Sequence, residues 1–420
     1  MKDELNAHSV PFSEYDLANG MHVILSPSHT VPLVVTNLWY HVGGKDDPPA
    51  RSGFAHLFEH MMFQGSHNVA KAEHFKYVQE AGGSLNATTS MDRTNYFETL
   101  PASQLELALW LESDRMLSLA VTQENFENQR DVVKEERRQR YDNQPYGTVW
   151  ENLMARLWPH GTYHMTTIGS MEHLDDASIE DCVAFHHEFY KPNNCSLALV
   201  GDFDEGNARR WIDRYFGTIP KGAPVVRNYS VHPLAREDRF RMEDNIKLSE
   251  VDIAFHGPKA FDRDVYALDL LMMAMDSSRS SRLYQELVYR RKMAQSVNAF
   301  SVWYEKGSIA LVTARLQPGS SLEETEHVLW EEIEKLREEP MSETELTKVK
   351  NRTEMQMVSS MSQLGSRADR LQHTWCFKRD TDLANRMVEI FHSITIEEMQ
   401  RAANLFLDRN RAVVSHVVPR

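Results

Sequence analysis

The chain has 420 residues and a mass of 48.6 kDa, more than one typical domain of roughly 100–200 residues, so two domains are expected. Hydrophobic residues make up 41% and charged residues 25%, with 18 Gly and 16 Pro spread along the chain, which excludes collagen-like, low-complexity and wholly disordered classes. A net charge of −15 opposes attraction to phosphate backbones and anionic lipid, so neither nucleic acid nor a membrane is an expected partner.

The three cysteines, Cys182, Cys195 and Cys376, lie far apart without CxxC spacing. That pattern indicates neither a disulfide framework nor a thiolate zinc site. Residues 1–30 carry charge in every window, which leaves no room for the apolar core of a signal peptide. No segment reaches the roughly 18–20 apolar residues of a membrane helix. The sequence reads as soluble and cytoplasmic.

Taken in order, Asn19-Gly20 marks a turn before a run at 21–25, and 31–42 continues in β-branched and aromatic residues, so the chain opens in strands. The spacing becomes helical over 54–63. Gly82-Gly83 then breaks the chain before 84–100, where Thr, Tyr and Phe alternate with polar residues and predict one or two strands. Helices are expected at 102–119 and about 123–141, and another ends near Tyr190, ahead of a buried strand at 195–200. Residues 215–222 stop regular structure, and a charged stretch with Pro224 and Pro233 follows. The division expected is an N-terminal domain at 1–220, a linker at 221–245 and a C-terminal domain at 246–420.

The second half begins again with a strand at 251–255 and a helix from about 265. Leu57-Phe58-Glu59-His60-Met61-Met62-Phe63 in the first half matches Leu268-Asp269-Leu270-Leu271-Met272-Met273-Ala274 in the second. An internal duplication follows, with His56, Glu59 and His60 facing Ala267, Leu270 and Leu271. The copy keeps the fold and loses the polar groups. The carboxylates of the acidic helix at 322–339 read as a solvated face.

His56-Leu57-Phe58-Glu59-His60 sets two imidazoles four residues apart, on one face of a helix and one turn from each other. Glu59 stands beside any metal they bind without having to coordinate it, in the place of a base that takes a proton from water. A catalytic zinc needs a third protein ligand. Glu135 and Glu136 lie 75 and 76 positions after His60, and helical spacing separates them. Glu136 falls on the stripe of Val132 and Val133 and points inward; Glu135 shares a face with Arg138 and Gln139 and points to solvent. His67 and His74 lie near the motif and are expected as lining residues that bind no metal, and His160/His164 sit among Pro159 and Gly161, which spoil a helix.

With these motifs the chain resembles the pitrilysin or insulinase-type inverzincins, a family that includes mitochondrial processing peptidases. The resemblance rests on the HxxEH helix, Val132-Val133-Lys134-Glu135-Glu136, Gly83-Ser84-Leu85-Asn86-Ala87, the stop at 215–220 and Ser281-Arg282-Leu283, in family order over essentially the whole chain. It implies an α+β fold of two homologous α/β-sandwich domains. It also implies one Zn2+ per chain held by His56, His60 and Glu136, with Glu59 as general base. The implied substrate is an extended peptide that adds as a strand beside residues 84–88, with Asn86 and Ala87 as contacts, inside a chamber closed by two such chains or by one fused chain of double length.

Three positions, in two places, depart from the family pattern. Gln129 stands where relatives often carry another acid behind the metal ligands, so a neutral amide is left to orient a ligand. Active relatives carry an Arg and a Tyr seven residues apart after the Ser-Arg-Leu segment, and this chain has Val288 and Gln295 there. Arg282 and Tyr289 have the right separation but the wrong register. A zinc endopeptidase acting as the catalytic half of a heterodimer is therefore expected, with a homologous subunit supplying Arg and Tyr. A homodimer is the competing assembly, and a noncatalytic peptide-holding subunit or a hydrolase of nonpeptide substrates are the competing functions.

Overall fold

The computed structural model describes residues 9–48, 51–276 and 278–420; the first residues of the stretch read for a signal peptide lie outside them. The chain folds into two compact units, each built from three segments. The first is Met1–Arg137, Thr166–Asn228 and Val358–Arg386; the second is Arg138–Met165, Tyr229–Met357 and Met387–Arg420.

In the first unit the strands are β1 (Ser13–Asp16), β2 (His22–Pro27), β3 (Leu33–Tyr40), β4 (Ser84–Thr89), β5 (Thr94–Pro101) and, after a short pair described below, β7 (Cys195–Gly201). They form one sheet in the order β1-β2-β7-β3-β5-β4, with β4 at the edge. β7 is buried along its whole length, as expected of a strand covered on both faces. One face carries helices α1 (Phe54–Met61), α2 (Glu73–Glu80) and α3 (Leu105–Ser118); α4 (Gln123–Arg137) packs on α1. The stretch 84–100 is the β4–β5 hairpin, paired from Ser84/Thr99 to Thr89/Thr94.

In the second unit, β6 (His160–Gly161) pairs with β8 (Val231–His232), and a larger sheet combines β9 (Asp238–Asp244), β10 (Glu250–Gly257), β11 (Ala294–Tyr304), β12 (Gly307–Leu316) and β13 (Ala412–Pro419). Its order is β11-β12-β10-β13-β9. Strand for strand this repeats β4-β5-β3-β7-β2 of the first sheet. Directions repeat too: three antiparallel pairings, then one parallel pairing, β13 with β9 as β7 with β2. The duplication read from the α1 motif is thus present in the sheet order.

A sheet apolar on both faces needs two covers. In each unit the second cover comes from the other half of the sequence. Helix α5 (Val149–Leu157) packs on β10 and β13. Helices α6 (Ile179–Phe189) and α7 (Glu205–Phe216) belong to the first unit, and α8 (Arg263–Met275) and α9 (Leu322–Glu338) to the second. Helix α10 (Leu364–Lys378) returns to the first sheet. There Gln372 donates to the carbonyls of Asn37 and Ser196 at 2.8 and 2.9 Å, and Trp375 stacks on His22 with centroids 4.1 Å apart.

The stretch 221–245 corrects the reading of a plain linker, since it contains β8 and the sheet-edge strand β9. Its charges hid the alternation: Arg239, Arg241 and Glu243 face solvent, while Phe240 and Met242 are half-buried. Arg156 of α5 lies over the Phe240 ring at 4.4 Å and bonds Asp238 at 2.9 Å.

Candidate metal centre

Helix α1 is eight residues long with two faces. Phe54, Ala55, Leu57, Phe58 and Met61 are buried. Phe58 packs on Tyr190 at 4.2 Å and Phe54 on Phe185 at 5.5 Å, which fixes the helix by its apolar side. Its start is set by Asp47, whose carboxylate accepts from the N–H groups of Gly53 and Ala55 at 2.7 and 2.8 Å. Burial pushes the Asp47 carboxyl up to about 8, although those N–H bonds favour its ionised form. Gly53 has φ +91°, and a Cβ there would meet the Ile168 carbonyl at 2.8 Å, so the helix entry requires glycine.

On the other face His56 and His60 stand with ring centroids 4.9 Å apart. Helix α4 brings Glu136 to them: one carboxylate oxygen lies 3.3 Å from His60 Nε2 and the other 3.9 Å from His56 Nε2. The three donor atoms fall within 4.8 Å of one another. Zinc takes imidazole and carboxylate donors at about 2.0–2.2 Å, and these three side chains could hold it after small shifts. The side chains are 14%, 20% and 16% exposed, which leaves a side open for a fourth ligand.

Glu136 is partly buried and Glu135 exposed, but the apolar stripe beside them is half the width expected. Val133 is buried, whereas Val132 is 43% exposed. Glu59 sits beside the donors, and its Oε2 accepts the Thr89 hydroxyl. Burial pushes its carboxyl up, opposed by the Thr89 bond and by the proximity of His60. Thr89 is a contact that sequence reasoning missed.

Asn86 is exposed and Ala87 buried on the edge strand β4; the Asn86 side-chain oxygen accepts the Ala87 N–H at 2.9 Å. Gln129 is buried on α4 and its amide donates to Asn128 Oδ1 at 2.9 Å. Arg282 is bound through two hydrogen bonds, 2.8 and 2.7 Å, to Glu345, and Tyr289 is 68% exposed, so the off-register pair is a structural anchor and a surface residue.

His74, expected as a lining residue, is buried, with Nε2 2.5 Å from Glu98. With Glu112 these residues form a second group of convergent donors. Arg115 supplies its positive charge, bonding both Glu112 oxygens and lying over the Tyr96 ring at 4.4 Å. Burial pushes Glu98 and Glu112 each up to about 7 and His74 down to about 3. This is a buried network of titratable groups, drawn from two helices and a strand that no spacing rule joins.

Fold and donor set together define a duplicated α/β-sandwich protein whose first copy brings His56, His60 and Glu136 into one group that could hold a metal ion. The chain belongs to peptidase family M16: the family described as insulinase (peptidase family M16) matches residues 22–170, and the peptidase M16 inactive domain matches 176–353. The zinc protease PqqE of Helicobacter pylori is 26% identical over 412 residues, covering 96% of this chain and 92% of that protein. The mitochondrial-processing peptidase subunit beta of Blastocladiella emersonii is 22% identical, over 95% of this chain and 87% of its own. The crystal structure of a protease from Helicobacter pylori superposes with a TM-score of 0.91 at 25% identity, covering 98% of this chain and 100% of that one. Among the described residues no helix is long and apolar enough to cross a membrane.

Proposed function

We propose that the chain is a zinc-dependent endopeptidase for extended peptides and the metal-bearing subunit of a heterodimer. The observation that carries this reading is the convergence of His56, His60 and Glu136 with Glu59 beside them. Zinc, when bound, supplies Lewis-acid polarisation of a carbonyl and lowers the pKa of water toward about 7. Glu59 accepts the proton of the attacking water on its carboxylate and later delivers it to the leaving amine nitrogen. The free edge of β4 pairs with the peptide backbone, with Asn86 and Ala87 at the contact, which gives affinity without reading sequence.

The Arg and Tyr expected to stabilise the oxyanion are Val288 and Gln295 in this chain, and Arg282 is committed to Glu345. Loss of such a donor costs about 10²–10³ in rate, so the isolated chain is slow and a homologous subunit completes it. The relative named subunit beta of a processing peptidase supports a subunit role.

The test is hydrolysis of a long quenched-fluorescent peptide by the zinc-loaded chain, with Glu59→Gln as blank. The expected result is slow, chelator-sensitive turnover that falls about 10²–10⁴-fold in the blank while zinc is retained. A homologous subunit carrying Arg and Tyr raises it. A folded, zinc-loaded chain that cleaves nothing, with or without that subunit, is instead a noncatalytic peptide-holding subunit.

A further inference from the structure

We propose that Thr89 is a positioning residue for Glu59, so that the strand offered to the peptide also aims the base. The inference rests on the peptidase reading above. Thr89 is the last residue of β4 and lies opposite Thr94 in the hairpin. Along β4, Ser84, Asn86 and Thr88 are exposed, whereas Leu85, Ala87 and Thr89 are more buried and share the face on which α1 packs.

The direction of the Thr89 hydroxyl follows from counting hydrogens. Its two neighbours are Glu59 Oε2 and, at 3.5 Å, Thr94 Oγ1. Thr94 gives its own hydrogen to the Val42 carbonyl at 2.9 Å and is a distant acceptor. The carboxylate is therefore the partner of the Thr89 hydrogen, and a hydroxyl-to-carboxylate bond is among the stronger side-chain bonds. One oxygen of a side chain with three rotatable bonds is thereby pinned.

The adjoining residue is held from the other side. Arg93 donates to the Thr88 carbonyl at 2.8 Å and to the Thr88 hydroxyl, bonds Asn95 Oδ1 at 3.0 Å, and lies over the Trp39 ring at 5.2 Å. The end of β4 is thus fixed, and with it the group that fixes Glu59. A base misplaced by about 1 Å loses much of its effect, so the bond matters to the chemical step more than to peptide binding.

The test compares the full chain with Thr89→Val, which keeps the β-branched shape without the hydroxyl, and Thr89→Ser, which restores the donor. Crystal structures read the outcome directly. Glu59 is expected in one orientation in the wild type and Thr89→Ser, and turned away or split in Thr89→Val, with His56, His60, Glu136 and zinc content unchanged. On the peptide substrate, kcat falls about 10- to 100-fold in Thr89→Val with little change in KM, and Thr89→Ser recovers most of it. Glu59 unmoved in Thr89→Val, or a variant that raises KM and leaves kcat alone, overturns the assignment. A wild type without turnover contradicts the peptidase reading instead, and the crystallographic comparison still decides the role of Thr89.

Discussion

The two sheets are built alike, and the helix that crosses each has opposite fates. In α1 the positions of His56, Glu59 and His60 are half-open and polar; in α8 the matching Ala267, Leu270 and Leu271 are all buried. The fold does not need polar groups there. It tolerates them in the first unit because α4 lies across α1 and offers Glu136 to the two imidazoles, while the surface stays partly accessible. The same backbone plan therefore holds either a site or a core, depending on whether a carboxylate reaches the helix.

That contrast breaks most readily in the second unit. Leu271 is 1% exposed, so Leu271→Glu is expected to destabilise the protein by about 4 kcal/mol, through a charge buried without a partner. Urea unfolding at neutral pH measures it, and a cost below about 1 kcal/mol contradicts the placement of α8 as core. A smaller effect belongs to the buried network beneath the first sheet. The Glu98 carboxyl, raised from 4.5 to about 7 by burial, is more easily protonated in the folded state. Its contribution is present below about pH 4.5 and is lost as pH rises through about 7. Glu98→Gln should flatten that part of the stability profile between pH 5 and 8, with the sign checked by unfolding at each pH. The smallest change is expected at the site: in metal-free protein, His60→Leu should alter stability by less than about 1 kcal/mol, because the position is partly open. A large loss there means that the imidazole serves the fold.

Much of this was legible in the sequence because it is local. The HxxEH spacing places two imidazoles and a carboxylate on one helix face whatever the rest of the fold does. The second copy was legible because an apolar run in the second half repeats the spacing of the first, and the repeated sheet order agrees with it. For Glu136 the expected stripe included Val132, which is exposed; one buried neighbour, Val133, is enough to orient the turn. What stayed hidden depends on long-range packing. No periodicity reports that α5 and α10 each cover the sheet of the other half, since an apolar stripe says that a helix is covered and not by what. β9 was masked by its charges, as edge strands often are. The Thr89–Glu59 bond and the His74–Glu98–Glu112 network join residues 14 to 38 positions apart.

In the proposed reading, one copy of the duplicated fold holds a metal through His56, His60 and Glu136. It is tested most directly by zinc content after exhaustive dialysis, for the wild type, His60→Ala, Glu136→Gln and Glu135→Gln. The account predicts one zinc per chain in the wild type and Glu135→Gln, and a marked loss in the other two. Zinc absent from the wild type, or retained equally in all four proteins, contradicts it.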